Sequence, residues 1–256
     1  MINLKNKVVL ITGASTGIGR ELAKQFAKEG CKLALLARGI ENLQKTEVEV
    51  SMITNSVESF KCDVTNLSSI KTVLTEIIQF YGNIDIAVLN AGISFNNKWG
   101  VTDAEAAEEV VDTNILGIVY YFQELTEGFI SRGGGIFVGV SSLADVHGFP
   151  GSGIYCASKA AATVFLESKR IELKPYNIKV ITVKPGFVNT PMTKKNKFYM
   201  PFLMNPEKAA EIILKGIKKG KKVIQFPLPT VLGSKLLKIL PSSLFDLFAS
   251  KIKANK

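Results

Sequence analysis

The sequence is poor in the residues that build disulfide frameworks and metal sites. Its 256 residues include three cysteines and one histidine. Cys31, Cys62 and Cys156 are odd in number and far apart, and each lies in an apolar or helical context. Neither a disulfide framework nor a zinc cluster fits this spacing. We therefore expect no metal site, and we expect the protein in a reducing, cytoplasmic environment.

Long hydrophobic runs, repeats and targeting segments are also missing. The apolar run from Val8 to Ile11 has only the length of a strand, and no export signal with a small-residue cleavage site is visible. No low-complexity tract or fixed-period repeat is present. The composition, 46% hydrophobic and 21% charged, is typical of a globular protein. We predict one domain over residues 1–256.

Acidic residues are outnumbered by basic ones. Lys and Arg total 32 against 22 Asp and Glu, which gives a net charge of +10. Such a charge suits nucleic acid, an anionic membrane surface or an anionic cofactor. Because no zinc finger, RNP-type aromatic motif or helix-turn-helix is recognisable, we do not expect nucleic-acid binding.

Short aliphatic runs alternate with longer segments of helical character. Most of these runs are apolar throughout, as in parallel strands that are buried on both faces. The pattern predicts an α/β fold of Rossmann type, a doubly wound parallel sheet of about seven strands with helices on both faces. Ligands of such sheets lie beyond the carboxyl ends of the strands. The six strand candidates that stand out are 7–11, 32–37, 85–89, 136–140, 179–183 and 223–226.

A glycine-rich loop follows the first strand candidate. The stretch TGASTGIG contains Gly13, Gly17 and Gly19 and opens a helix predicted from about Ile18 to Glu29. Glycines allow close approach of the backbone to a ligand, and the free N–H groups at a helix start bind phosphate. The loop is therefore either a phosphate cradle or simply a turn between strand and helix.

The spacing T-G-x-x-x-G-x-G resembles that of the short-chain dehydrogenase/reductase family. Further matches follow in order: CDV at 62–64, NAG at 90–92, NILG at 114–117, VSS at 140–142, YCASK at 155–159 and PGFVNT at 185–190. The likeness extends over roughly residues 5 to 191 and is looser beyond them. Relatives in this family usually form dimers or tetramers, so we expect a homodimer or homotetramer.

The resemblance implies a nicotinamide dinucleotide site. By this likeness Asp63 contacts the adenine and Asn90 supports the end of a strand beside the cofactor. The cofactor-binding residues that we predict are Gly13, Ser15, Gly17, Ile18, Gly19, Arg38, Asp63, Val64, Asn90, Ala91, Gly92, Tyr155, Lys159, Pro185, Gly186, Val188 and Thr190.

The end of the second strand candidate bears on the choice of dinucleotide. Ala37 and Arg38 stand where an acid would accept from the 2′-hydroxyl of NAD. A guanidinium pairs well with a 2′-phosphate, so we predict NADP(H), with NAD(H) as a possible cofactor. Thr16 departs from the pattern, because many NADP-using relatives carry a base there. Arg38 could also be a solvated residue that only ends the strand.

Four residues form the predicted catalytic set. Tyr155 and Lys159 lie four apart at the start of a helix, so both project from one face. The ammonium, together with an oxidised nicotinamide, should favour the phenolate and make Tyr155 a proton donor or acceptor. Ser142 is placed to orient a substrate oxygen, and its neighbour Ser141 to be structural. Asn114 matches the family position that holds a water linked to the lysine.

These residues predict reduction of a ketone to a secondary alcohol, or the reverse. The competing hypotheses are an NAD-dependent alcohol dehydrogenase, a dinucleotide-binding protein without the chemistry, and a dinucleotide-binding protein at the membrane surface. His147 could touch substrate, but without partner residues it is better explained as a polar loop residue.

Two segments near the C-terminus bear on substrate and partners. Residues 191–222 begin with many Met and Phe residues, which form either an apolar lid for an apolar or lipid-like substrate or a loop packed on the core. Residues 227–256 form an amphipathic extension that packs on the core, contacts another copy, or lies on an anionic membrane through 230–253. Pro241, Asp246 and the lysines interrupt it too often for a membrane span.

Overall fold

A computed structural model describes residues 1–95, 101–196 and 198–250, and all structural statements concern these residues. They form a parallel sheet of seven strands in the order β3-β2-β1-β4-β5-β6-β7. This confirms the predicted fold class. The strands are β1 (Val8–Thr12), β2 (Lys32–Ala37), β3 (Val57–Lys61), β4 (Ile86–Leu89), β5 (Gly135–Val140), β6 (Ile178–Pro185) and β7 (Val223–Phe226).

Helices cover both faces of the sheet. Along β1, Val9 and Ile11 belong to one apolar cluster with α1, α2 and α7, whereas Leu10 belongs to a second cluster with α3, α5 and α6. This alternation buries the strand on both sides and explains its unbroken apolar sequence. The helices are α1 (Gly17–Lys28), α2 (Ile40–Ser51), α3 (Leu67–Tyr81), α4 (Ala104–Val111), α5 (Gly117–Ser131), α6 (Gly153–Glu172), α7 (Pro206–Lys218), α8 (Leu228–Ile239) and α9 (Ser242–Ala249).

The six strand candidates all correspond to strands, and the seventh strand escaped the sequence pattern. β3 lies at the edge of the sheet, paired only with β2 among the described residues. Its sequence VESFK buries a single residue, Phe60, so it lacks the apolar run that marks the inner strands.

The strand order reverses between β1 and β4, which are neighbours in the sheet but not in sequence. At such a switch point the loops after the two strands diverge and leave a crevice. The glycine loop follows β1 and the NAG segment follows β4, so the topology brings these two motifs to one place.

The predicted lid region and extension contain regular structure. Residues 193–195 form a short 3-10 turn, and α7 packs on the sheet through a buried face that includes Ala209 and Ile213. The extension forms α8 and α9, which bury Val231 and Phe245. Lys251 and Lys253 of this extension lie outside the described residues. None of the described helices is long and apolar enough to cross a bilayer.

Candidate active site

The glycine loop has the backbone geometry that the sequence predicts. Gly13 and Gly17 have φ of +64° and +57°, in the left-handed region that side chains disfavour. Helix α1 begins at Gly17, and within the described chain no side chain caps it and no acid occupies its first turn. Its N–H groups and the positive end of its dipole are therefore available to a phosphate.

Close contacts join this loop to the end of β4. A methyl group at Gly19 would overlap the carbonyl oxygen of Gly13 and approach the Asn90 amide nitrogen. Asn90 Nδ2 donates to the carbonyls of Thr12 and Gly13 at 3.0 and 3.2 Å. Thr12 Oγ1 accepts from the backbone N–H groups of Asn90 and Ala91, both at 3.0 Å. The two loops therefore form one preorganised unit.

A cavity of about 420 Å³ lies over the carboxyl ends of the strands. It extends from the glycine loop and the end of β2 to the ends of β5 and β6. The predicted site residues that line it are Gly13, Ser15, Gly17, Ile18, Arg38, Val64, Asn90, Ala91, Gly92, Ser142, Tyr155, Lys159, Pro185, Gly186, Val188 and Thr190.

Gly19, Asp63 and Asn114 are predicted site residues that stand outside this lining. Gly19 acts through the contacts described above. Asp63 Oδ1 accepts from the backbone N–H and the hydroxyl of Thr65 at 3.0 and 2.9 Å. These bonds fix the turn that presents Val64 to the cavity.

Asn114 lies fully buried in a π-helical turn, Asp112–Leu116, between α4 and α5. Its Oδ1 accepts from Ile93 N, and its Nδ2 donates to Ile93 O and Ser158 Oγ, all at 2.9 Å. The side chain thus connects the loop after β4 to helix α6. Its amide already has protein partners, so the role of holding a water stays a prediction.

Thr113 is a cavity residue that the sequence analysis missed. Its side chain is buried, and Thr113 Oγ1 has no hydrogen-bond partner in the described part of the chain. A buried hydroxyl without a partner at a cavity wall is suited to a ligand. Its position beside Asn114 was the available signal. The other lining residues, which are outside the predicted catalytic and cofactor-binding sets, are Thr16, Ala37, Gly39, Cys62, Ile93, Val140, Ser141 and, in the predicted lid region, Pro191, Met192 and Thr193.

Ser141 and Ser142 have different environments at the end of β5. Ser141 Oγ is buried and bonds the Lys159 carbonyl oxygen at 2.8 Å and Thr163 Oγ1 at 2.7 Å. Ser142 and Tyr155 both line the cavity, and the Ser142 hydroxyl lowers the pKa of the Tyr155 phenol by hydrogen bonding. Ser142 Oγ also accepts from Ala144 N at 3.1 Å, which fixes its orientation.

Lys159 is a buried cation at the cavity wall. It is 3% exposed, and its Nζ donates to Val140 O at 3.1 Å. Burial lowers the pKa of Lys159 from 10.5 to about 8. The ammonium lies 5.8 Å from the centre of the Tyr155 ring. It therefore remains charged at neutral pH but becomes neutral under mildly alkaline conditions.

The surroundings of Tyr155 in the described chain raise the pKa of its phenol. Burial is the largest influence and raises the pKa of Tyr155, against a smaller lowering by the hydrogen bond from Ser142. The Lys159 ammonium donates to Val140 O, and the expectation that it favours the phenolate together with an oxidised nicotinamide stays a prediction. Tyr155 is therefore a neutral phenol at pH 7, which is the proton-donating form.

A buried polar network supports the loop between β5 and α6, residues 141–152. Asp145 Oδ2 pairs with Lys184 Nζ of β6 at 2.6 Å and accepts from Thr163 Oγ1 at 2.7 Å. The side chains of Asp145 and Lys184 are 3% and 13% exposed. Through Thr163 the network reaches Ser141, so it joins the loop after β5, helix α6 and strand β6. Asp145 Oδ1 is buried and has no partner in the described residues.

The C-terminal helices α8 and α9 contact the same loop through His147. His147 Nε2 is hydrogen-bonded to Leu237 O of α8 at 2.7 Å. The His147 ring stacks on Phe245 of α9 at 4.0 Å between centroids and an interplanar angle of 11°. His147 does not line the cavity, which agrees with a loop role.

The apolar residues after Thr190 divide between the cavity and the surface. Met192 lines the cavity, whereas Phe198, Tyr199 and Phe202 are 42%, 86% and 60% exposed. The side chains of these three aromatic residues are therefore exposed rather than packed in the core.

The end of β2 carries one charge toward the cavity. Arg38 lines it, and Arg38 Nη1 pairs with Glu109 Oε1 of α4 at 3.3 Å. Both side chains are about half exposed, at 52% and 54%. Arg38 therefore has a protein partner as well as access to a ligand.

These features fit an elongated, anionic dinucleotide. The glycine cradle leaves backbone N–H groups open to phosphates, and the unpartnered Thr113 hydroxyl suits a ribose. At the other end of the cavity, Ser142 and Tyr155 converge as hydrogen-bond donors on one region. That arrangement can orient a carbonyl oxygen and deliver a proton to it.

Comparisons with known proteins agree with this geometry. Residues 7–198 match the family described as short chain dehydrogenase. An uncharacterized oxidoreductase of Myxococcus xanthus is 33% identical over 253 residues, 99% of this chain and 100% of that protein. The 3-oxoacyl-[acyl-carrier-protein] reductase FabG of Thermotoga maritima is 34% identical over 220 residues, 86% of each chain.

Solved structures share the fold. A short-chain dehydrogenase/reductase of Burkholderia phymatum in complex with NAD has a TM-score of 0.85 at 19% identity, covering 100% of this chain and 99% of that one. A short-chain dehydrogenase of Sphingobium yanoikuyae in complex with NADPH has a TM-score of 0.81 at 24% identity, covering 98% of both chains.

Proposed function

The chain belongs to the short-chain dehydrogenase family, and from that premise we propose an NADP(H)-dependent oxidoreductase that interconverts a ketone and a secondary alcohol. The observation that carries this proposal is one cavity that joins the glycine loop to Ser142, Tyr155 and Lys159. A binding pocket without the catalytic groups would not need such a convergence.

In the proposed reaction the carbonyl oxygen accepts hydrogen bonds from Ser142 and Tyr155. A bound nicotinamide supplies the hydride that reaches the carbonyl carbon. As negative charge develops on the oxygen, Tyr155 transfers its phenolic proton to it, which yields the alcohol. Ser142 stabilises the same oxygen, and the Lys159 ammonium stabilises the phenolate that remains. Oxidation of an alcohol uses these groups in reverse.

The raised pKa of Tyr155 favours the reductive direction near neutral pH. A phenol that keeps its proton is a competent acid for a forming alkoxide, whereas oxidation requires the phenolate. Lys159, with a pKa of about 8, loses its charge above that pH. We therefore expect ketone reduction to fall as pH rises past 8.

Arg38 supports NADP(H) as the preferred dinucleotide. The guanidinium lines the adenosine end of the cavity, and β2 ends without a carboxylate. A 2′-phosphate would form a charge-assisted pair with it, which a 2′-hydroxyl cannot. The competing proposal is an NAD-dependent alcohol dehydrogenase of the same family.

Fluorescence titrations with NADPH and NADH test the cofactor proposal. Wild type should bind NADPH more tightly, and Arg38→Ala should weaken NADPH binding about tenfold while NADH binding changes less than twofold. Arg132→Ala, directly after α5 and outside the cavity lining, is the charge-matched control. Equal affinity of wild type for both cofactors would contradict the preference, and binding of neither would contradict the enzyme proposal.

An apolar ketone is the substrate class that we propose. Met192 offers apolar surface in the cavity that also contains Ser142 and Tyr155, and the exposed aromatic residues 198, 199 and 202 follow it closely in the sequence. The name of the Thermotoga maritima relative gives that protein a 3-oxoacyl substrate, which is also a ketone on an apolar chain. A ketone panel of increasing chain length should give a falling KM with wild type.

We also propose that the exposed side of α8 and α9 is a contact between copies of this chain. Leu228, Leu232, Leu236 and Ile239 recur at helical spacing and are 58–76% exposed. Leu244 and Leu247 extend the patch on α9, and such patches mark interaction sites. Light scattering should show a dimer or tetramer that Leu232→Glu dissociates and Met52→Glu does not. Monomeric wild type that sediments with anionic vesicles would favour the membrane alternative instead.

A further inference from the structure

At the end of the cavity that we propose for adenosine, Arg38 is the one cation of the described lining that can distinguish a 2′-phosphate from a 2′-hydroxyl. Among the described lining residues, the only cation besides Arg38 is Lys159, which lies at the catalytic end. Thr16 in the glycine loop is uncharged. Recognition of a 2′-phosphate by charge therefore depends on how fully one guanidinium is available.

Glu109 limits that availability. It lies in the last turn of α4, and its Oε1 is 3.3 Å from Arg38 Nη1. The π-helical turn that carries Thr113 to the cavity wall begins directly after α4, so Glu109 lies four residues before a residue that lines the cavity. The pair is half exposed, and solvent weakens but does not abolish its electrostatic interaction.

We propose that Glu109 is a specificity-determining residue, which weakens the preference for a 2′-phosphorylated dinucleotide by sharing Arg38 and repelling the phosphate. This inference rests on the proposed cofactor site. A phosphate must compete with the carboxylate for one guanidinium, and two like charges then lie close to it. A ribose 2′-hydroxyl carries no charge and can donate to a carboxylate, so the unphosphorylated cofactor does not suffer this penalty.

Calorimetric titration of NADPH and NADH tests the proposal without relying on turnover. Glu109→Gln keeps the side-chain shape and removes the charge. It should tighten NADPH binding about fivefold, the upper range for an exposed ion pair, with less than twofold change for NADH. Glu108→Gln is the control, since Glu108 is exposed on the same helix and removes the same net charge. The control should leave both affinities unchanged.

Two further measurements test whether Glu109 acts electrostatically and through Arg38. The gain in Glu109→Gln should shrink at high ionic strength, because both groups are solvent-accessible. In an Arg38→Ala background the same substitution should have less than half its effect, since no guanidinium is left to release. Equal effects of Glu109→Gln and Glu108→Gln, or equal tightening of NADPH and NADH, would overturn the inference. Absence of binding of either cofactor to wild type would instead overturn the proposed function.

Discussion

The two halves of the cavity are built by different physical means. On the cofactor side, backbone conformation and the absence of side chains shape the site, as at Gly13 and Gly19. On the catalytic side, buried polar side chains from distant segments hold the site, as in the Asp145–Lys184 pair. The first kind of construction leaves a local motif in the sequence, and the second does not.

Because of this difference, the two halves are destabilised by different kinds of substitution. A glycine cradle fails when atoms are added to it, because there is no room beside the backbone. A buried ion pair fails when one partner is removed, because the other charge is left without compensation. A second substitution that removes the remaining charge should therefore restore stability in the catalytic half, whereas the cofactor half offers no such compensation.

Gly19→Ala should have the largest effect, on the cofactor side. The new methyl group would overlap the Gly13 carbonyl oxygen, a backbone atom that cannot move freely. We expect a loss of about 4 kcal/mol in the free energy of unfolding and at least hundredfold weaker NADPH binding, measured by urea denaturation and calorimetry. Gly39→Ala also borders the cavity but has open space around it, so it should be nearly neutral. Similar losses of stability and NADPH affinity in both variants would contradict the inference that the close contact at Gly19 shapes the loop.

Asp145→Asn should come next, on the catalytic side. It leaves the buried Lys184 ammonium without its partner and should cost about 3 kcal/mol of stability. The double variant Asp145→Asn/Lys184→Met should regain most of this, which urea denaturation of the single and double variants would measure. A double variant as unstable as the single one would show that charge compensation is not what the pair provides.

Lys159→Met should have a smaller effect of opposite sign on stability. The folded pKa of about 8 lies below the ordinary 10.5, so the folded state binds fewer protons than the unfolded state between these values. Wild-type stability should accordingly rise with pH in that window, and the burial penalty at pH 7 is about 3 kcal/mol. After loss of the hydrogen bond to Val140, the variant should be about 2 kcal/mol more stable at pH 7.

The control for this prediction is the pH profile itself. The stability difference between Lys159→Met and wild type should shrink as pH rises from 8 to 10.5, while ketone reduction stays abolished at every pH. A constant difference over this range would show that the buried ammonium does not titrate as inferred.

The sequence predicted the fold well, for identifiable reasons. Inner strands are buried on both faces and leave apolar runs, whereas edge strand β3 buries only Phe60 and was missed. The glycine-rich stretch predicts a tight turn before a helix, and Gly13 and Gly17 have positive φ shortly before and at the start of α1.

Contacts between distant side chains could not be predicted in this way. Nothing local to Asp145 indicates Lys184, and nothing local to Arg38 indicates Glu109. The burial of Tyr155, which raises the pKa of its phenol, likewise depends on packing that its local sequence does not reveal.

The most direct test of the account separates binding from chemistry in one variant, Tyr155→Phe. NADPH binding is measured by calorimetry, and NADPH oxidation is followed with the apolar ketone that wild type reduces fastest. We predict an NADPH affinity within twofold of wild type and a fall in turnover of about a thousandfold, since only the proton donor is lost. Turnover near the wild-type rate, or the absence of NADPH binding in wild type, would contradict the account.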